Sequence, residues 1–464
     1  MDLALLLSFY LLTLVSVSSL RDIGIETNAH ETCTESFQGH HHLSNDSDIH
    51  FTIHHIHGPC SPVSSRNLSP SEILKHDDAR VQTLNRRLTH PTIPSTLKFN
   101  KLRPEPLNIP LNSGSSAGVG NYVIKIGLGT PSKMYVMVVD TGSSFSWLQC
   151  EPCTGYCHSQ IGPIFNPEES TTYESIQCDT SECSSLQDAT LNSPNCSSTN
   201  VCTYVASYGD GSTSTGYLGR DKLTVGSAHT IPGFIYGCGQ INNGLFGRTA
   251  GLMGLSRNKF SLLSQLSSKY GYVLSYCLPT TTSTGNLSIG WKTYDPSLYA
   301  FTRMYTDPQD PSLYLVRLIR ITVDGLALPV SVSTYMRRPT IVDSGTLITR
   351  LPSAVYTALR AAFEKAMSRY ERAPRFSILD TCYKGIGGNA SVPEVNLVFE
   401  GGSGLKLEAW NVMYDVGDGV SCLAFAPNGW TNGVSIIGNL QQQTFRVVYD
   451  VANSRIGFAA GGCR

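Results

Sequence analysis

Charge is scarce in this 464-residue chain: 15% of residues are Asp, Glu, Lys or Arg, and 34 basic residues nearly cancel 35 acidic ones. A protein whose main task is to grip nucleic acid needs a basic face, so that class is excluded, and no Lys/Arg run with interleaved aromatics appears. Long apolar runs are also missing after the first twenty residues. That first run, MDLALLLSFYLLTLVSVSSL, is too short from Leu3 to Val17 for a spanning helix, which needs about 20 residues. It has the apolar core and small trailing residues of a secretory signal over 1–20, although a basic start is absent. The end, RIGFAAGGCR, lacks the hydrophobic tail of a lipid-anchor signal, so no membrane anchor is expected in the mature form. The pair Cys150 and Cys153, with Cys157 nearby, lacks the second ligand pair of a zinc site, and no metal is expected.

What is abundant is glycine, 42 residues, together with Ser, Thr, Val and Ile, a composition that favours strands and turns. Fourteen cysteines agree with export to an oxidising compartment, and the segment from Cys150 to Cys238 is dense enough to be stapled by disulfides. Asn67, Asn286 and Asn389 begin glycosylation sequons; Asn45 and Asn195 also qualify formally.

Residues 21–110 differ from the rest and are expected to form a pro-segment. They carry most of the histidines, in GHHHL and HFTIHHIHGPC among others. Three readings of these histidines compete: a solvated segment, adventitious metal binding, and a switch that weakens docking when protonated near about pH 6. Ser69-Pro70-Ser71-Glu72 is a capping box with proline in the first turn, and Ile73, Leu74, Val81, Leu84 and Leu88 follow at helical spacing. A Pro-, Gly- and Ser-rich connector comes next, a suitable place for proteolytic nicking. From residue 121 short strands dominate, including a hairpin turning at Gly-Asp-Gly within TYVASYGDGSTSTGYLGRDKLTV. SLLSQLSSKY and PSAVYTALRAAFEKAMSRY are the helical exceptions, the latter with Val355, Leu359, Phe363 and Met367 on one face.

An Asp ending an apolar strand is ordinarily a turn residue. Here VVDTGSS at 138–144 recurs as IVDSGTL at 341–347. Each copy follows a similar start, YVIKI and YLVRL, and each precedes an apolar pair running into glycine, AGLMGLS and SIIGNL. Such an echo is far longer than a solenoid repeat and predicts two related lobes, 121–310 and 311–464, each bringing one Asp to a shared axis. Two carboxylates meeting there share a proton, so one takes a proton from water while the other donates to a substrate carbonyl. Gly142 and Gly345 allow close approach of the loops. Thr141 and Ser344 offer hydroxyls to tie the loops together, and Ser143 and Thr346 to orient the carboxylates.

Asp140-Thr141-Gly142-Ser143 and Asp343-Ser344-Gly345-Thr346 resemble the paired signatures of the pepsin-like aspartic proteases, a family whose dyad is a standard example of tuned carboxylates. Tyr208 and Gly209 in SYGDGS resemble the flap, Trp147 the tryptophan supporting it, and Gly254 and Gly438 the glycines of the hydrophobic-Gly motifs. The Cys-rich insertion after the first Asp is similar to that of nepenthesin-type plant members. The resemblance implies a mostly β, bilobal fold with a few short helices. It also implies a secreted or vacuolar monomeric endopeptidase acting on polypeptides without a cofactor, inhibited by its own pro-segment. It further implies disulfides Cys150–Cys153, Cys157–Cys238, Cys178–Cys202, Cys183–Cys196, Cys277–Cys463 and Cys382–Cys422. Ser344 stands where pepsin has Thr, and Asp210 adds an acid to the flap. The rival reading is a pepsin-fold binding or inhibitor protein that has lost hydrolysis, because fold does not fix function.

Overall fold

The computed structural model describes residues 48–63, 68–89, 122–226, 229–387, 390–429 and 433–463. The N-terminal apolar run, the connector beyond residue 89, and Asn45, Asn67 and Asn389 lie outside the described residues.

Strand β1 (Ile49–His55) and helix α1 (Pro70–Thr89) come from the N-terminal segment. Then follow β2 (Tyr122–Leu128), β3 (Lys133–Asp140) and β4 (Trp147–Gln149), runs of Val, Ile, Met and aromatics that suit a pleated, buried surface. The hairpin is formed by β5 (Cys202–Ser207) and β6 (Thr213–Val225), and β7 (His229–Asn243) pairs along β6. The echo becomes visible at β8 (Gly251–Gly254), which runs parallel to β3 and sets Gly254 opposite Asp140. The second copy repeats the arrangement. Strand β9 (Leu315–Val316) lies antiparallel to β10 (Thr340–Val342), and β11 (Ile436–Ile437) runs parallel to β10. In both lobes a parallel neighbour therefore supports the strand that ends at the signature Asp.

Both body helices form. Leu262–Tyr270 is capped by the Ser261 hydroxyl, and Ser353–Ala366 buries Val355, Leu359 and Phe363, with Met367 buried just beyond its end. The cap of α1 is reciprocal: Ser69 N–H donates to Glu72 Oε2 at 3.0 Å, and Glu72 N–H to Ser69 Oγ at 3.3 Å.

The lobes share a fifteen-stranded sheet, in which 446–450 and 455–459 of the second half pair alongside 273–277 of the first. Strand β1 sits inside that sheet, between β2 and the strand Thr284–Ile289. This corrects the solvated reading of the His-rich tract for the part described. Alternation along IHFTIHH buries Ile49, Phe51 and Ile53, and places His54 and His55 in the interior as well. Asn286, on the neighbouring strand, keeps an exposed side chain, as does Asn195.

Four expected disulfide pairings are overturned. The structure forms Cys150–Cys238, Cys153–Cys157, Cys178–Cys196 and Cys183–Cys202, in place of Cys150–Cys153, Cys157–Cys238, Cys178–Cys202 and Cys183–Cys196. Burial sorts the partners. Cys150, Cys238, Cys183 and Cys202 are interior and pair with one another, whereas the other four lie nearer the surface. Parallel pairing of β4 with β7 puts Leu148 beside Cys238 and carries Cys150 within reach. Cys277–Cys463 and Cys382–Cys422 are the two pairs common to expectation and structure.

Candidate active site

Asp140 and Asp343 close their respective strands and turn inward at the junction of the lobes, 1% and 0% exposed. Each carboxylate is held by its own loop. Gly142 N–H donates to Asp140 Oδ1 at 2.9 Å and Gly345 N–H to Asp343 Oδ1 at 3.2 Å. The Ser143 hydroxyl donates to Asp140, and Thr346 Oγ1 to Asp343 Oδ2 at 2.6 Å. The loops are then tied crosswise: Thr141 N–H to Ser344 Oγ at 3.1 Å, and Ser344 N–H to Thr141 Oγ1 at 2.8 Å. Glycine is required at the crossing. A Cβ on Gly142 would stand 2.8 Å from Asp343 Oδ1, and one on Gly345 would collide with Asp140.

Beneath Asp343, Gln442 donates through Nε2 to its backbone carbonyl at 3.1 Å and to that of Ile437 at 2.9 Å. These bonds fix the loop to β11, the strand of the second hydrophobic-Gly motif.

The hairpin β5–β6 folds over the pair as a flap. Tyr208 Oη accepts from Trp147 Nε1 at 2.7 Å, and Phe246 meets both rings edge-on. Asp210 closes the flap turn, accepting from Ser212 N–H at 2.9 Å and Ser212 Oγ at 2.8 Å. The site thus gathers Asp140, Asp343, their six loop neighbours, Trp147, Tyr208 and Gly209. No group of His, Cys, Asp and Glu suited to a metal ion occurs among the described residues.

Sequence reasoning missed what fills the cleft. Arg80 of α1 lies between the two carboxylates, with Nη1 and Nη2 on Asp140 at 2.9 and 2.7 Å, and Nε and Nη2 on Asp343 at 3.0 Å each. Burial alone would push the Asp343 carboxyl up. The Arg80 guanidinium and the Thr346 and Gly345 bonds more than offset this and hold it below the ordinary range. Arg87 adds Nε to Asp310 Oδ2 at 2.7 Å and Nη1 to the Gly142 carbonyl at 2.9 Å, and Val434 N–H donates to Asn85 Oδ1 at 2.9 Å. Val81, Leu84 and Leu88 pack on Leu313, Leu315, Ile341 and Ile436. A signal existed. Asp77, Arg80 and Arg87 interrupt the apolar stripe of α1 at helical spacing, and charge on a stripe that must be buried implies a charged counter-surface.

The comparisons agree with this geometry. The family described as Xylanase inhibitor N-terminal matches residues 122–291, and the one described as Xylanase inhibitor C-terminal matches 313–460. An aspartyl protease family protein of Arabidopsis thaliana is 40% identical, over 90% of this chain and 87% of that protein. Aspartic proteinase nepenthesin-2 of Nepenthes gracilis is 33% identical over 85% of this chain and 91% of its own length. Among solved structures, basic 7S globulin from soybean shares the fold at a TM-score of 0.60 and 23% identity, covering 75% of this chain and 95% of the globulin. With two signature loops crossed at one axis and relatives matched over nearly their full length, the chain belongs to the plant pepsin-like aspartyl protease family.

Proposed function

We propose that this chain is an aspartic-type endopeptidase made as a latent proenzyme, in which residues up to the connector inhibit the site and are removed. The observation that carries the reading is Arg80 Nη2, which reaches Asp140 Oδ1 at 2.7 Å and Asp343 Oδ1 at 3.0 Å, so a single nitrogen bridges both carboxylates. Oxygens so close together cannot both stay ionised once the cation leaves, and the pair then holds one proton between them.

A water molecule taking the place of Arg80 would be deprotonated by the ionised member as it attacks the peptide carbonyl carbon. The protonated member donates to the carbonyl oxygen. Transfer of a proton to the amide nitrogen then breaks the C–N bond without a covalent intermediate. Base and acid are roles of the pair, because it titrates as a unit. The loop amides and hydroxyls keep both carboxylates aimed at one point, and Tyr208 closes the flap over an extended peptide to exclude bulk water. Six disulfides among the described residues support export, to the extracellular space or the vacuole. The rival reading, a binding protein without hydrolysis, is disfavoured by two signatures that each keep carboxylate, glycine and hydroxyl.

The test is acid activation of the purified proprotein, followed by digestion of a denatured protein and mass analysis of the new N-terminus. Acid-dependent cleavage, blocked by a transition-state-mimicking peptide such as pepstatin and lost in Asp140→Asn and Asp343→Asn, is the expected result. Full activity in both variants would sink the mechanism.

A further inference from the structure

Helix α1 is seated in the cleft by a row of side chains, and one of them occupies a built anion site. Asp77, one turn before Arg80, is 3% exposed, and its carboxylate accepts from Leu347 N–H at 2.5 Å and Ile348 N–H at 3.3 Å. Arg350 closes on the same group, Nη2 to Asp77 Oδ2 at 2.9 Å, and is itself 1% exposed. Its further partners are the Ile348 carbonyl at 2.8 Å and Asp78 Oδ1 at 3.6 Å. Both carboxylates facing this buried guanidinium therefore belong to α1. Among the described residues of the catalytic body, 122–463, none forms an ion pair with it. One turn further, Leu74 is fully buried against Leu347, Ile348, Leu379 and Ala424.

We propose that, after α1 departs, Arg350 and the amides of Leu347 and Ile348 form a subsite for an acidic side chain of the peptide substrate, flanked by the apolar hollow that Leu74 fills. This rests on the protease reading above. A guanidinium with two converging N–H donors matches a planar carboxylate, and an amide side chain in its place leaves Arg350 buried without a counter-charge. The location follows from the helix. Three residues of α-helix advance about 4.5 Å, and an extended substrate advances about 3.3 Å per residue. The acidic position therefore falls within about three residues of the bond cleaved, allowing for the lateral offset of a helix from a strand.

The experiment uses the matured enzyme and peptide pairs that differ only in Asp against Asn, placed in turn at each position within three residues of the scissile bond. At one position kcat/KM for Asp is expected to exceed that for Asn by about tenfold at pH 5, as suits a charge-assisted contact. The ratio should fall towards one as pH drops through about 4, where the substrate carboxylate titrates. Arg350→Met should abolish the discrimination, and Arg350→Lys should keep part of it. Equal rates for every pair in an active wild-type enzyme would overturn the subsite and leave the protease standing, and this comparison needs no variant to fold. A matured protein that cleaves no peptide would overturn both readings together.

Discussion

Thr141 and Ser344 exchange hydrogen bonds across the lobe junction, each backbone N–H donating to the other's hydroxyl, at 3.1 and 2.8 Å. Both residues are 1% exposed, so neither donor has water as a substitute. The crossing sets the spacing of the carboxylates one residue away. Thr141→Val keeps the volume and leaves Ser344 N–H unpaired, at a cost of about 1–3 kcal/mol. We expect a Tm lower by about 2–5 °C in calorimetry and kcat/KM reduced by about tenfold or more through misplaced carboxylates. Ser344→Thr, which retains the hydroxyl, should remain near wild type. Unchanged activity in Thr141→Val would contradict the role given to the crossing.

Arg80 should set the acid threshold of activation. The Asp343 carboxyl is held low in the docked state. Once Arg80 leaves, the pair holds one proton, so this contribution to docking is complete only above the pH at which the free pair gives up that proton, and is lost as pH falls through the lower docked value. Removing one partner of a buried pair costs about 3–5 kcal/mol, so Arg80→Met should weaken docking at every pH. The variant is expected to develop activity at pH 5 while wild type stays latent. Equal activation half-times would reject the lock.

The buried histidines of β1 predict a second, earlier step. Burial lowers His54 to about 4, with Lys125 contributing, and His55 to about 3, with His57 contributing. In a released strand both return to about 6.5. The docked strand thus has full stability above about 6.5, and loses it as pH falls through the two docked values. The loss therefore begins just below about 6.5, where the released histidines charge, and continues down to the docked values. Hydrogen exchange at 49–55 should be protected at pH 7 and lose protection progressively towards pH 3. In a His54→Gln, His55→Gln protein the pH slope should flatten, and a slope equal to wild type would rule the switch out.

Tyr208→Phe removes the acceptor for Trp147 Nε1, which is buried beneath the flap. A net hydrogen bond is worth about 1 kcal/mol, so kcat/KM should fall roughly fivefold. The loss should appear mainly in KM if the flap serves to hold substrate. A Trp147 fluorescence spectrum identical in variant and parent would indicate that the bond is not made.

The parts of the site that were legible in the order of residues are those built by short-range chemistry. A strand ending in Asp-Thr-Gly-Ser or Asp-Ser-Gly-Thr carries its own carboxylate, tight turn and hydroxyl within four residues, and repetition of the pattern implied a shared axis. Ser69 and Glu72 likewise cap α1 without help from elsewhere. What lay beyond the pattern were choices between distant partners of similar type. Eight cysteines crowd the stretch from Cys150 to Cys238, and depth beneath the surface, not spacing, joined Cys183 to Cys202 rather than to Cys196. Histidines that looked solvated were drawn inside because β1 found an open position in the shared sheet. The partners of Asp77 and Arg80 became visible only when the fold set Arg350, Asp140 and Asp343 opposite them. Local hydrogen bonding and periodicity are written in neighbouring residues, whereas the partner of a buried charge depends on which surfaces the folded chain brings face to face.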